Sequence, residues 1–153
     1  MTATQPRSAA TPADLLALSA PDLDTQFATA AVHSIPVGKG RGLAIFAPGS
    51  RLSRPLAHLT RALAWKGKEF DLSRDGLVNI VSPFSVRAIR ARVGIEPSWV
   101  DNEPCIVLDY SRTSWSARWI RDEIREVAPG VFLGVVFVRR RRLPLCFVLS
   151  FAA

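Results

Sequence analysis

Two apolar runs of strand length, residues 131–138 and 143–151, stand near the C-terminal end of the chain, split by Arg139, Arg140, Arg141 and Arg142. Each run is as long as one β-strand, so the pattern predicts a terminal β-hairpin that closes the fold. Upstream, short apolar runs at 43–46, 68–72, 77–82, 86–95, 98–100 and 104–110 are punctuated by Asp75-Gly76, Pro83 and Asp101-Asn102. Runs and turn residues in that order predict a meander of antiparallel strands. Within 86–95 the alternation is regular: Ile89, Ala91 and Val93 should face inward while Arg90 and Arg92 stand in water.

Elsewhere the period lengthens. Thr11-Pro12 marks a helix start, with Thr11 as N-cap and Pro12 at the first helical position, where its missing N–H costs nothing. Pro21 starts a second short helix in which Leu23, Phe27 and Ala30 recur at helical spacing. Ser53 and Pro55 introduce a third, with Leu56, Leu59 and Leu63 on one face through to Trp65. Trp115 and Trp119, four apart, followed by Ile120, Ile124 and Val127, favour a further helix over 115–127, and Ile124 and Val127 also suit an extended chain less regularly. On that helix Arg121, Asp122, Arg125 and Glu126 would pair at helical reach.

The fold class that follows is mainly β, of α+β type: a small antiparallel barrel or strongly curved sheet with N-terminal helices and one or two capping helices. Residues 1–10 read as a disordered tail, 11–37 as a helical extension and 38–153 as the barrel domain. At 153 residues and 48% hydrophobic content the chain has the size of one domain with one core.

A net charge of +7 raises a basic surface for nucleic acid or anionic lipid as a function class. The cations are scattered from Arg7 to Arg142, which makes nucleic acid the weaker partner. Arg139, Arg140, Arg141 and Arg142 could meet an anionic membrane surface, against the plainer role of a solvated hairpin turn that blocks edge-to-edge pairing. The polar start, without an apolar h-region, argues against a cleaved signal peptide, and no apolar run reaches spanning length, so the cytoplasm is the expected location. Cys105 and Cys146 lie in apolar runs and read as buried hydrophobes. Gly38-Lys39-Gly40-Arg41-Gly42 could cradle a phosphate but precedes a strand-like run, so an ordinary flexible connection is the expectation.

Residues 65–70 (Trp-Lys-Gly-Lys-Glu-Phe), Asn79, Asp109-Tyr110-Ser111, Arg121-Asp122-Glu123-Ile124-Arg125 and residues 129–134 together resemble a set of uncharacterised bacterial lipocalin-like proteins. The pattern is also loosely similar to proteins carrying a GXWXG domain, although Ala64-Trp65-Lys66-Gly67 lacks the leading glycine of that motif. The resemblance spans residues 40–151 and implies a calycin-type barrel with a small-molecule pocket; it implies no reaction.

Strand alternation sends Asp109 and Tyr110 to opposite faces, and Tyr110 is the better pocket residue, an apolar ring with one hydrogen-bonding tip. Trp99 and Trp115 are candidates for lining the cavity, with Trp119 as core, and Asn79 joins them as a ligand-binding candidate. Arg121 or Arg125 could clamp a ligand carboxylate while Asp122 orients the guanidinium, against the plainer reading of a structural salt-bridge ledge. The expected function is binding of a small hydrophobic or carboxylate-bearing ligand, as a carrier or sensor. The enzyme alternative is an isomerase or cyclase using Asp109 or Asp122 as base and Tyr110 as acid. No metal-ligand spacing and no cofactor motif is legible, and His33 and His58 lie far in sequence from the charged cluster.

Overall fold

A computed structural model describes residues 10–46, 65–71, 76–81, 86–112, 115 and 117–152, with backbone alone for Phe46, Trp65, Lys66, 76–81 and 86–89. The described residues begin with two helices, α1 (Pro12–Leu16) and α2 (Ala20–Thr29). Thr11 caps α1 through a reciprocal pair with Asp14, and Ser19 caps α2 by accepting from the Asp22 N–H. Eight strands follow among the described residues: β1 (Gly38–Phe46), β2 (Trp65–Asp71), β3 (Gly76–Val81), β4 (Val86–Pro97), β5 (Pro104–Asp109), β6 (Ile120–Ala128), β7 (Val131–Val138) and β8 (Arg141–Ser150). Each pairs antiparallel with its neighbours in sequence, and β1 also pairs with β8, so the sheet closes into a barrel.

Strand β1 makes the closure by serving two partners in turn: Gly38 to Arg41 pair with β2, and Arg41 to Phe46 pair with β8. The glycine-rich segment is thus neither a flexible connection nor a phosphate loop. Its small residues let chains approach closely, for a Cβ on Gly40 would sit 2.6 Å from the Phe151 ring.

Two cores lie on the two sides of the wall. Phe70, Ala91, Ile106, Leu108, Tyr110, Ile124, Phe132, Val136, Phe147 and Leu149 form one cluster. These come from six strands around the circle, which can meet only across the lumen. The second cluster joins Leu15, Leu23 and Phe27 of the helices to Cys105, Val107, Leu133, Val135, Cys146 and Val148 on the outer surface. Strands β5, β7 and β8 are therefore apolar on both faces, and this double burial explains why their sequences read as near-continuous apolar runs.

The expected helix over 115–127 is a correction: residues 120–128 form β6. Ile120 and Ile124 do share a face, but at the strand period, four residues being two full repeats. The run 98–100 is a turn, and β4 extends to Pro97. Of the helix expected over 53–65, all but Trp65 lies outside the described residues, and Trp65 opens β2. The tail expected at 1–10 also lies outside them, apart from Ala10. In β4, Ala91 is buried and Val93 packs on the lumen cluster while Arg90 and Arg92 are exposed.

Gly67 sets the phase of β2. It has φ +115° at a register shift between Trp65 and Gly67, and a Cβ there would lie 1.9 Å from the Gly40 carbonyl oxygen. The bulge turns Lys68 and Phe70 inward. Gly67→Ala should cost roughly 3 kcal/mol or more, since both the dihedral and the space forbid a side chain. Thermal melting checks this: a midpoint within about 2 °C of the parent would show that the bulge is not needed.

Candidate functional site

A buried polar cluster crosses the lumen. Lys68 on β2 donates to Asp122 Oδ2 on β6 at 2.9 Å and to Tyr110 Oη at 2.5 Å. Tyr110, directly after β5, donates its hydroxyl to the same Oδ2 at 3.0 Å. The Lys68 and Asp122 side chains are 4% and 7% exposed. In the closed order of strands, β2 and β6 are separated by three strands on either side. The ion pair therefore joins diametrically opposite walls.

The surroundings are apolar and aromatic. The Lys68 ammonium lies 5.3 Å from the Tyr110 ring centroid and 5.2 Å from that of Phe147. Phe147 can lie flat across β7 only because residue 134 is glycine, where a Cβ would fall 2.2 Å from the ring. Phe151 folds back edge-on against Phe70 and Phe132, at 5.7 and 5.5 Å between centroids. The Lys68 ammonium and the Tyr110 hydroxyl both converge on Asp122 Oδ2, and Oδ1 receives no donor among the described residues.

The strand period splits the charged segment that the helical reading had kept together. Asp122 faces the lumen with Ile124, whereas Arg121, Glu123 and Arg125 face outward. On that outer wall Arg125, 1% exposed, donates from Nε to the Pro104 carbonyl at 3.0 Å and from its two terminal nitrogens to both Asp101 oxygens at 2.7 and 2.6 Å. It also reaches the Phe27 and Glu103 carbonyls, each at 3.0 Å. A guanidinium carries five N–H donors, and all five are used here. Arg125 thus ties α2 and the β4–β5 turn to the barrel. Its hydrogen bonds hold the Asp101 carboxyl below the usual carboxylate value, with the Glu103 backbone N–H assisting.

Glu123, fully buried, accepts from Ser98 Oγ at 2.5 Å, from the Trp99 N–H at 2.9 Å and from Arg121 Nε at 2.9 Å. Arg121 continues to Glu96 at 3.0 Å and the Pro97 carbonyl at 2.8 Å. These contacts are the structural ledge of the plainer reading, and they place Arg121 and Arg125 on the opposite side of the wall from Tyr110.

Trp99 and Trp115, expected to line the cavity, and Trp119, expected in the core, are on the outside with 39%, 83% and 45% exposure. Trp99 packs edge-on against Phe137 of the outer wall, because residues 98–103 are a turn folded over that wall and not a strand. Asp109 faces away from Tyr110 and accepts from the Ser111 N–H at 2.8 Å. Asn79 pairs in register with Lys68, placing it beside the cluster along the backbone. Burial pushes the Cys105 thiol up to about 12, with the Glu123 carboxylate adding to it, and burial likewise raises that of Cys146, so neither is a nucleophile near neutral pH.

The residue that sequence reasoning missed is Lys68. One signal existed: in a chain with three lysines, Lys68 stands two residues before Phe70 in a strand and so shares its face.

The fold is thus an eight-stranded antiparallel barrel with a charged pair inside and two helices on its outer wall. It is similar to the crystal structure of a protein from Thermomonospora curvata, at a TM-score of 0.60, with 20% identity over 89% of each chain. No family model and no curated relative matches the sequence. Among the described residues no helix is long and apolar enough to cross a membrane, and no three His, Cys, Asp or Glu side chains group to hold a metal ion.

Proposed function

We propose that the barrel takes up a small, largely apolar molecule whose single polar group meets Lys68, Tyr110 and Asp122, as a carrier or sensor of the lipocalin-like kind. The observation that carries this reading is the charged pair spanning an aromatic lumen. A buried ion pair is a poor source of stability, because removing both ions from water costs about as much as their attraction returns. Its presence among phenylalanines is better explained by recognition. An eight-stranded barrel has an interior that side chains fill or that one small ligand occupies, which sets the size class. A ligand carboxylate would take up Lys68 in place of Asp122; a ligand hydroxyl or amine would donate to Asp122 Oδ1.

Calorimetric titration with fatty acids and fatty alcohols of graded length tests this and separates the two head groups. A saturable one-to-one complex is expected, weakened about tenfold or more by Tyr110→Phe through loss of a hydrogen bond to charged partners. The reading fails if no member of the series binds the folded protein, or if Tyr110→Phe binds as tightly as the parent.

One geometric fact favours the enzymatic alternative as a second reading: the Tyr110 hydroxyl lies between an ammonium and a carboxylate. Asp122 would withdraw a proton from substrate carbon and Tyr110 would return one at another position, an isomerisation that needs no oxidant. Turnover that survives Asp122→Asn eliminates it.

A further inference from the structure

Around the tip of the β7–β8 hairpin the surface alternates indoles and guanidiniums. Arg118 lies 5.9 Å from the Trp115 ring centroid and 4.2 Å from that of Trp119, and Arg139 lies 4.6 Å from Trp119. Arg140 and Arg121 lie 4.7 and 4.4 Å from Trp99. The Arg139 N–H donates to the Trp119 carbonyl at 3.0 Å, which fixes the tip against the segment before β6. Arg142 is engaged separately with Asp24 of α2.

The backbone of the tip supplies an independent argument. Val138 pairs with Arg141, leaving a two-residue loop in which Arg139 and Arg140 have φ +49° and +66°. Positive φ at both positions is the signature of a type I′ turn, the conformation for which Asn-Gly is strongly preferred. Two bulky arginines are instead held left-handed side by side, a strained arrangement of the kind that gathers at functional sites. Local turn preference does not account for them, whereas presentation of adjacent guanidiniums beside exposed indoles does.

We propose that this platform docks on an anionic lipid surface, with Arg118, Arg139 and Arg140 receiving headgroup phosphates and Trp115, 83% exposed, entering the interfacial layer. Stacking on indole holds the guanidiniums in place, so little order is lost when they meet phosphate. Single-stranded nucleic acid is the lesser fit, because base recognition uses open aromatic faces and Trp99 and Trp119 each already carry two guanidiniums. The surface is distinct from the lumen, and its test does not depend on a lumen ligand.

The experiment is co-sedimentation of the full chain with phosphatidylcholine vesicles, with and without phosphatidylglycerol, at low and high salt. The parent should bind only the anionic vesicles and release them as salt shortens the range of the attraction. Each guanidinium near such a surface contributes about fivefold in partitioning, so Arg139→Asn with Arg140→Gly should lower binding about 25-fold. The same double substitution installs the preferred turn pair and should raise the melting midpoint by about 4 °C. Trp115→Ser, at an exposed position, should weaken binding without unfolding the barrel. The proposal is overturned if the parent ignores anionic vesicles, if binding resists salt or survives these substitutions, or if a single-stranded oligonucleotide is bound in preference.

Discussion

Arg125→Ala is expected to destabilise the protein by about 3–5 kcal/mol, the cost typical of breaking a buried charge pair by removing one partner. The side chain is 1% exposed and its five donors serve Asp101 and the carbonyls of Phe27, Glu103 and Pro104. Alanine leaves those acceptors unmatched and a void against the Phe27 ring, whose centroid lies 4.5 Å from the guanidinium carbon. The melting midpoint should fall by about 10 °C. Arg125→Lys should rescue little of this, since an ammonium has three donors and no planar fork. A loss below about 1 kcal/mol in urea unfolding would show that water replaces the clamp without penalty.

The same pair sets an acid limb. Because the folded-state pKa of Asp101 is lowered, its contribution is complete above the unfolded carboxylate value of about 3.9 and is lost as pH falls through the depressed folded value. Stability measured from neutral pH downward should therefore begin to drop below pH of about 4 in the parent. Arg125→Ala should flatten that part of the curve, and an unchanged acid limb in the variant would assign it to other carboxylates.

Lys68→Met should be nearly as damaging, again about 3–5 kcal/mol, because it leaves the Asp122 carboxylate in the lumen without its cation. The informative partner is Lys68→Met combined with Asp122→Leu. Removing both charges should return most of the loss, to within about 1 kcal/mol of the parent, since apolar side chains suit a lumen lined by Phe70, Phe147 and Leu149. A double-mutant cycle gives the coupling directly. Strong coupling with a stable but non-binding double variant would show that the charges serve recognition and not folding. Additive losses would mean that the strut across the lumen does not form.

What could be read beforehand followed from local rules. The cap at Thr11, the hairpin of β7 and β8, and the alternation of Ala91 and Val93 against Arg90 and Arg92 each depend on residues close in sequence. Tyr110 and Asp109 could be sent to opposite faces for the same reason. Local rules misled where both faces of a strand are covered. In β6, Ile120 and Ile124 mark the lumen face, but Arg125 is buried on the other by Asp101 and three carbonyls, so the polar–apolar alternation that announces a strand is erased. Spacing of four then fits helix and strand equally.

The tryptophans show the complementary limit. Large rings are read as core by default, yet Trp99, Trp115 and Trp119 are exposed, and Trp99 and Trp119 lie beside guanidiniums that come from distant segments. The pairing of Lys68 was out of reach for a related reason: its partners Tyr110 and Asp122 lie 42 and 54 residues downstream.

The amino-acid order by itself determined the strand class, the helix caps and the closing hairpin, since these are decided by backbone preference and by the period of apolar positions over a few residues. Only the closed barrel decided that Lys68, Tyr110 and Asp122 meet and that Arg125 does not join them. Closure fixes which faces of β2 and β6 oppose one another across the lumen, and that is a property of strand phase summed around the whole sheet, bulge by bulge, that no short stretch of chain contains.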